Sequence, residues 1–246
     1  MRAITFDLWD TVFIDDSDEP KRKQQGLPPK PIARRMLVHD FLNKKNTISK
    51  EIVDAAYDTV DAAFVRVWHE HSITWSVAER LEVLLKGLKH SLADAEMSEL
   101  VRQHEEMELS IRPDLAPGIK AALDDLKGKY KLGVISDAIF SPGRVLRKLL
   151  EAEDLLDYFE SFTFSDELGC SKPAARVFEA AAAELGVEPG QLVHIGDRES
   201  NDVAGPQAIG AKAVLTTVVI DRGQSKSKAD AICNDYAELT RVIQSL

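Results

Sequence analysis

The sequence predicts an α/β fold in which a parallel β-sheet core is interrupted by an inserted all-helical region. From Pro113 onward, strand-like and helix-like segments alternate, which is typical of a parallel sheet with right-handed crossovers. Residues 32–110 instead follow a helical pattern without a strand signal. The apolar strand at residues 3–8 has no sheet of its own, so we expect it to join the later strands and leave the helices as an insertion.

The first element is a short strand that ends in acids and a threonine, with the sequence Ile4-Thr5-Phe6-Asp7-Leu8-Trp9-Asp10-Thr11-Val12. Its β-branched and aromatic residues favour a strand, and its end is the edge at which α/β sheets bind ligands. Residues 12–35 predict a loop, because prolines dense enough to forbid a long helix stand at Pro20, Pro28, Pro29 and Pro31. This segment is either a solvated connection or a mobile flap whose cations face an anionic ligand.

Within the helical region, Ser76 and Glu79 fit a capping box, which marks the start of a helix. Stripes of apolar residues indicate a small antiparallel bundle with short turns. Aromatic and imidazole side chains gather at one junction between helices, at Trp68, His69, His71 and Trp75. In one interpretation the aromatic residues pack in the bundle and the imidazoles lie at the surface. In the other, these residues face a bound ligand, and a histidine is available for proton transfer.

After Pro113, strands are predicted at residues 131–135, 162–164, 192–195, 213–215 and 231–232, with a polar loop at residues 221–228. A helix is expected to open at Pro173, directly after Lys172, where its N-terminus would favour an anion. A further short helix is expected to run to about Ile209. The core is therefore expected to comprise residues 1–16 and 111–246, with the flap and the helical insertion at residues 17–110.

The composition and net charge of the chain argue against several classes of function. The 246 residues carry a net charge of −10 with a pI near 5.2, which argues against general nucleic-acid binding. Hydrophobic residues make up 44%, enough for a sizeable core, but no apolar run approaches the ~20 residues of a membrane span. The N-terminus enters a strand at once, without a signal-peptide pattern. Cys170 and Cys233 give no disulfide framework, so we expect a cytoplasmic protein without membrane or nucleic-acid partners.

Polar side chains stand at the strand ends and in the loops that follow, at Asp7, Thr11, Ser136, Asp137, Lys172, Asp197, Asn201 and Asp202. If brought together, the carboxylates of Asp7, Asp197 and Asp202 would repel one another, and a divalent cation would relieve that repulsion. Oxygen ligands with room for water suit Mg²⁺. A lysine and small hydroxyls beside the metal suit a phosphoryl group.

These residues lie in four motifs that resemble, in order and over the full chain, those of the haloacid dehalogenase superfamily. The first is Phe-Asp-Leu-Trp-Asp-Thr-Val at residues 6–12, and the second is Val-Ile-Ser-Asp at residues 134–137. The third contains Lys172-Pro173, and the fourth is His-Ile-Gly-Asp-Arg-Glu-Ser-Asn-Asp-Val at residues 194–203. The resemblance implies a Rossmann-like core, with the family's helical cap of the first class inserted between the first two motifs.

The resemblance also implies a Mg²⁺-dependent phosphohydrolase that acts on a small phosphorylated metabolite through an aspartyl phosphate on Asp7. It implies catalytic roles for Asp7, Thr11, Ser136 and Lys172. The residues implied to bind the phosphate are Ser136, Asp137 and Lys172. The implied metal ligands are Asp7, the Trp9 backbone carbonyl, Asp197 and Asp202, with Asn201 in support.

One position departs from the family pattern. Two residues after the nucleophile, family phosphatases carry an aspartate that protonates the leaving group and then activates water, but this chain has Trp9. Asp10 follows, yet strand alternation turns it the other way. The first possible outcome is a phosphohydrolase that uses a good leaving group or a proton donor from the cap, such as His69 or His71.

The second outcome is attack on carbon, as in the family's 2-haloacid dehalogenases, and the third is binding of phosphate compounds with weak turnover. The fourth motif favours phosphoryl hydrolysis, because it keeps the metal-binding pattern of Asp197, Asn201 and Asp202. The family's dehalogenases need no metal, so they would have little use for two such acids.

Overall fold

The computed structural model describes residues 1–44 and 47–246. The strands within these ranges are β1 Ala3–Phe6, β2 Lys131–Ser136, β3 Ser161–Phe164, β4 Leu192–Gly196, β5 Lys212–Thr216 and β6 Ala231–Cys233. They form one parallel sheet in the order β3-β2-β1-β4-β5-β6. β1 lies inside the sheet, with Phe6 opposite Val134 of β2 and Ile195 of β4. The predicted α/β fold with a parallel, Rossmann-like sheet is confirmed.

The helices between β1 and β2 are α1 Glu19–Gln24, α2 Lys30–Asn43, α3 Lys50–His71, α4 Val77–Gly87, α5 Asp94–Glu105, α6 Met107–Ser110 and α7 Ile119–Leu126. The helices that follow β2 are α8 Gly143–Ala152, α9 Ser165–Leu168, α10 Ala175–Glu184, α11 Gly205–Gln207 and α12 Leu239–Gln244. Among the residues in the described ranges, no helix combines the length and the apolar character that crossing a membrane would require.

Both faces of the sheet are buried, because its strands carry apolar residues on both sides. On one face, Ile4 belongs to a cluster that includes Leu123 of α7 and Leu146 of α8. On the other face, Ile135 of β2 packs with Phe178 of α10. This double cover leaves the ends of the strands as the place where polar side chains can gather.

Helices α2 to α5 share a separate apolar cluster, to which each helix contributes buried residues such as Val38, Val53, Leu84 and Leu100. The predicted capping box opens α4: Ser76 Oγ accepts from the Glu79 N–H at 3.2 Å, and the Ser76 N–H donates to Glu79 Oε2 at 2.7 Å. Reciprocal caps of this kind satisfy backbone donors that the first helical turn leaves free.

The prediction of a loop at residues 12–35 is wrong in part, because this segment contains α1 and the beginning of α2. Pro20 and Pro31 lie in the first turns of those helices. A proline is tolerated there, since its missing N–H would have no partner within the helix. The prolines of this segment are therefore compatible with helices, because they stand where helices begin.

Two later helix boundaries also differ from the prediction. α10 begins at Ala175 and not at Pro173, because a turn precedes it in which the Ala174 N–H donates to Ser171 O at 3.1 Å. The segment before Ile209 is a π-helical turn, Glu199–Ala204, followed by the short α11. Lys172 consequently does not stand at a helix N-terminus, and other contacts must place its side chain.

Candidate active site

The carboxyl ends of three neighbouring strands bring the predicted residues together. Asp7 follows β1, and its backbone N–H continues the strand pairing by donating to Ile195 O at 2.9 Å. Ser136 and Asp137 lie at the end of β2, while Asp197 directly follows β4. Because parallel strands end at the same edge of a sheet, side chains distant in sequence become neighbours there.

Lys172 is the central cation of this site. Its side chain is buried, and Nζ lies 2.8 Å from Asp7 Oδ1 and 2.6 Å from Asp202 Oδ1. Burial by itself would lower the pKa of Lys172, but Asp202, Asp7 and Asp137 outweigh it and raise the pKa above its ordinary value. The lysine is therefore a fixed positive charge between two carboxylates.

Asp202 is held on both oxygens. His194 Nε2 and Lys172 Nζ contact Oδ1, at 3.1 Å and 2.6 Å, and the Arg198 N–H donates to Oδ2 at 2.9 Å. Burial would raise the pKa of Asp202, but Lys172 and His194 hold it well below its usual range. The pKa of Asp7 is raised, chiefly by burial and against the effect of Lys172.

Three carboxylates could hold a metal ion. Asp7, Asp197 and Asp202 each offer an oxygen, and these atoms all lie within 4.8 Å of one another. Asp197 Oδ1 is buried, and no donor among the described residues reaches it. Burial, reinforced by Asp7 and Asp202, raises the pKa of Asp197 to about 6. An unpartnered oxygen beside two further carboxylates fits a hard divalent cation such as Mg²⁺.

Arg222 belongs to the site although the sequence analysis did not select it. Its Nε donates to Asp197 Oδ2, and its Nη2 donates to Asp10 Oδ2 at 2.6 Å. Asp10 adopts the left-handed conformation, with φ of 54°, and its carboxylate accepts from Arg222 and from the Asp15 N–H. Arg222 lies in the predicted polar loop after β5. Its position beyond the carboxyl end of a predicted strand was the signal in the sequence that could have identified it.

The two predicted hydroxyls are buried at the same edge. Thr11 Oγ1 and Ser136 Oγ have no hydrogen-bond partner among the described residues. The backbone carbonyl of Thr11 accepts from Tyr236 Oη at 2.7 Å, which fixes the loop after β1. Buried hydroxyls without partners are unusual, because leaving a polar group unsatisfied costs free energy. A bound phosphoryl group could supply the partner that Ser136 lacks.

Asp137 links the loops of the second, third and fourth motifs. Its Oδ1 accepts from the Lys172 N–H at 2.9 Å, and its Oδ2 accepts from Asn201 Nδ2 at 3.4 Å. Burial raises the pKa of Asp137 to about 6, against the effect of Lys172. These contacts position Lys172 in place of the helix N-terminus that the sequence analysis expected.

A cavity of about 340 Å³ opens onto Asp7. Residues of the sheet edge that line it include Asp7, Trp9, Asp137, Lys172 and Asn201. Asp15 and Asp16, from the segment between β1 and α1, also line it, as do Lys30, Arg34, Trp68 and Glu108 of the inserted segment. His69 and His71 are exposed on α3, so of the predicted junction Trp68 reaches the cavity and these two imidazoles stay at the surface.

The two cations that the inserted segment brings to the cavity already face carboxylates. Lys30 Nζ lies 2.6 Å from Asp18 Oδ1, and Arg34 Nη2 lies 3.5 Å from Glu108 Oε1. The cavity wall opposite Asp7 is thus a mixture of both charges and not a basic surface. The predicted alternative of a flap with free cations is therefore weakened.

This architecture places the chain among the α/β enzymes that bind ligands at the carboxyl edge of a parallel sheet. Residues 1–210 match the family model of the haloacid dehalogenase-like hydrolases. The chain belongs to that family of hydrolases, as its four motifs predict.

Named relatives include phosphatases. The chain is similar to a glyceraldehyde 3-phosphate phosphatase from Methanothermobacter thermautotrophicus, with 32% identity over 133 residues, covering 52% of this chain and 58% of that protein. The chain spans about half the length of the curated relatives it matches. A solved HAD phosphatase from Thermococcus onnurineus shares 26% identity and a TM-score of 0.66, covering 99% of this chain and 98% of that one.

A 2-haloacid dehalogenase from Pseudomonas syringae has a TM-score of 0.68 at 23% identity, covering 100% of this chain and 99% of that one. At this identity the likeness concerns the fold alone. Both kinds of chemistry therefore occur on the fold, and the site residues must distinguish between them.

Proposed function

We propose that the protein is a Mg²⁺-dependent phosphohydrolase that forms an aspartyl phosphate on Asp7 and acts on a small phosphorylated metabolite. One observation carries this proposal: the oxygens of Asp7, Asp197 and Asp202 lie within 4.8 Å of one another. A carbon-attacking enzyme has no need of three clustered acids, whereas phosphoryl transfer needs a metal between acids and phosphate.

In this proposal Asp7 attacks phosphorus, and the covalent intermediate divides one difficult step into two easier ones. Lys172, 2.8 Å from Asp7 Oδ1, holds a phosphoryl oxygen beside the attacking carboxylate. Ser136 Oγ donates to another oxygen, and Thr11 orients the loop that carries Asp7. Asp137 accepts from the Lys172 backbone N–H and from Asn201, so Asp137 and Asn201 fix the position of Lys172 relative to the loop of the fourth motif.

The metal would be held by Asp7, the Trp9 carbonyl and Asp197, with Asp202 as a ligand directly or through water. When bound, Mg²⁺ shields Asp7 from the negative charge of the phosphate and stabilises the oxyanions that develop. Arg222 leaves one oxygen of Asp197 free for this role, because it engages the other. The donor set consists of oxygens, as Mg²⁺ prefers.

Residues 17–110 would act as the cap over a core of residues 1–16 and 111–246, and would exclude water during transfer. The names of relatives that hydrolyse phosphorylated metabolites support a small phosphate ester as the substrate. A cavity of about 340 Å³ suits a molecule of that size. We expect the enzyme to work in the cytoplasm, without nucleic-acid or membrane partners.

The test is phosphate release from an aryl phosphate with Mg²⁺ and with excess chelator. We expect turnover only with Mg²⁺, and a fall to below about one-thousandth of wild type in Asp7→Asn with the fold intact. Asp157→Asn is the control, because this exposed aspartate precedes β3 and so lies at the edge of the sheet opposite the site. Retained turnover in Asp7→Asn would refute the assigned nucleophile.

The presence of Trp9 in the cavity wall makes carbon chemistry the second candidate. Halide release from 2-chloropropionate without metal would establish that alternative and overturn the proposal. Binding of phosphate esters with no turnover under any metal condition would instead indicate a binding protein.

A further inference from the structure

We propose that Asp15 donates the proton to the leaving group and then activates the hydrolytic water, the role that Trp9 cannot fill. The assignment rests on the proposed phosphohydrolase function and deepens it. It names a carboxyl group on the segment that follows the nucleophile's strand, in the wall of the cavity where the leaving group would lie.

Hydrogen bonds hold the backbone around Asp15. The Ile14 N–H donates to Asp114 O at 2.8 Å, and the Asp15 N–H donates to Asp10 Oδ1 at 3.1 Å. Asp15 Oδ1 accepts from the Asp16 N–H at 3.0 Å. Within the described ranges, Oδ2 has no hydrogen bond or ion pair, so it is free to meet a ligand in the cavity that Asp15 lines.

The other carboxylates of the cavity wall are already engaged. Asp16 lies 3.2 Å from Lys30 Nζ, and Glu108 contacts Lys30, Arg34 and Ser141. A carboxylate paired with a cation is a poor acid, because the cation stabilises its charged form. Asp137 binds the Lys172 N–H and Asn201, and Asp7 is the nucleophile. Among the described acids of this wall, Asp15 and Asp137 have no cation within ion-pair distance, but both oxygens of Asp137 already accept hydrogen bonds, so Asp15 is the acid with neither restraint.

The surroundings of Asp15 favour its protonated form. Although the Asp15 side chain is exposed to the cavity, desolvation by the surrounding protein raises its pKa to about 6, and the carboxylates of Asp16, Asp10 and Glu108 reinforce the shift against the effect of Lys30. An acid whose pKa lies near the working pH can both give up and recover a proton during turnover.

The proposed steps balance in atoms and charge. An Asp7 oxygen bonds to phosphorus while the bond from phosphorus to the ester oxygen breaks, and that oxygen takes its electron pair and the proton of Asp15 to leave as an alcohol. The Asp15 carboxylate then takes a proton from water as the water oxygen bonds to phosphorus. The bond between phosphorus and Asp7 breaks, which releases inorganic phosphate and regenerates the Asp7 carboxylate and the protonated Asp15.

The test compares leaving groups in the full-length, Mg²⁺-loaded enzyme. Asp15→Asn should slow the transfer step from an alkyl phosphate by about 10²–10⁴-fold, since an alkoxide leaves poorly without a proton. The pre-steady-state burst of p-nitrophenol from p-nitrophenyl phosphate should change by less than roughly threefold, since that leaving group needs no proton. Asp15→Glu should restore part of the alkyl rate, and circular dichroism checks the fold of each variant.

Asp157→Asn, an exposed aspartate of the helical turn before β3, is the control, and it should change the rate with neither substrate. Equal losses for both substrates in Asp15→Asn, or no loss for either, would overturn the assignment while leaving the proposed function in place. A wild-type enzyme without Mg²⁺-dependent phosphate release would overturn the proposed function and the assignment with it.

Discussion

Replacing Lys172 by methionine should strongly destabilise the metal-free protein. Methionine keeps much of the length of the side chain, but it removes the charge that lies 2.8 Å from Asp7 Oδ1 and 2.6 Å from Asp202 Oδ1. Both carboxylates are almost fully buried and would face each other without a cation. Removing one partner of a buried ion pair typically costs about 3–5 kcal/mol, and we expect a loss of this size in the free energy of unfolding.

Urea unfolding at pH 7 with chelator present measures the effect, and the midpoint should fall by at least about 1 M. Lys212→Met is the matched control, because it removes a lysine whose pair with Asp230, at 2.7 Å, is substantially exposed. Such exposed pairs contribute about 0–1 kcal/mol. If Lys172→Met cost no more than Lys212→Met, the central electrostatic role of Lys172 would be refuted.

Adding Mg²⁺ should return part of the stability lost in Lys172→Met. A divalent ion between the carboxylates of Asp7 and Asp202 would reduce their electrostatic repulsion, as the positive charge of the lysine does in the wild type. A ligand that binds only the folded state stabilises it in proportion to the logarithm of its concentration. The midpoint of the variant should therefore rise with Mg²⁺ concentration, and an unchanged midpoint would count against the proposed metal site.

Two further predictions concern the packing around the site and in the helical region. Burial lowers the pKa of His104 to about 4. Below pH 6.5 the unfolded chain therefore binds more protons at this histidine than the folded chain does. Acidification from pH 6.5 to 4 should remove about 3 kcal/mol from the free energy of unfolding. Urea unfolding of His104→Gln should show a much flatter pH dependence, and equal slopes would exclude this origin. Gly205→Ala would place a Cβ 2.6 Å from Phe178 and should cost about 1–3 kcal/mol. Gly190→Ala, whose nearest neighbour atom is 3.9 Å away, should cost less than about 1 kcal/mol, and similar thermal midpoints for the two variants would contradict this reading.

Most of the sheet and the core of the site could be predicted because their signals are local. Asp7, Asp197 and Lys172 follow apolar segments directly or stand in motifs of fixed spacing, so strand ends and site residues were recognised together. The sheet edge then brings them within ion-pair distance. The joining of the first strand to the later ones also followed from its isolation in the sequence.

The remaining features depend on contacts between distant segments, which spacing does not reveal. Arg222 stands in a polar loop among other charged residues, and its pairing with Asp10 and Asp197 arises only when β5 lies beside β4. Asp15 belongs to an acidic run that reads as a solvated turn. Its lack of a cation becomes visible only when the partners of its neighbours are known.

The position of β1 has a consequence for how the chain folds. β1 is the first strand to be synthesised, but its partners β2 and β4 begin at Lys131 and Leu192. Such distant pairings make folding slow and leave an apolar segment exposed in the nascent chain. Helices α2 to α5 come from one continuous stretch and can collapse earlier. Asp7, which directly follows β1, should therefore be among the last groups to reach its final position.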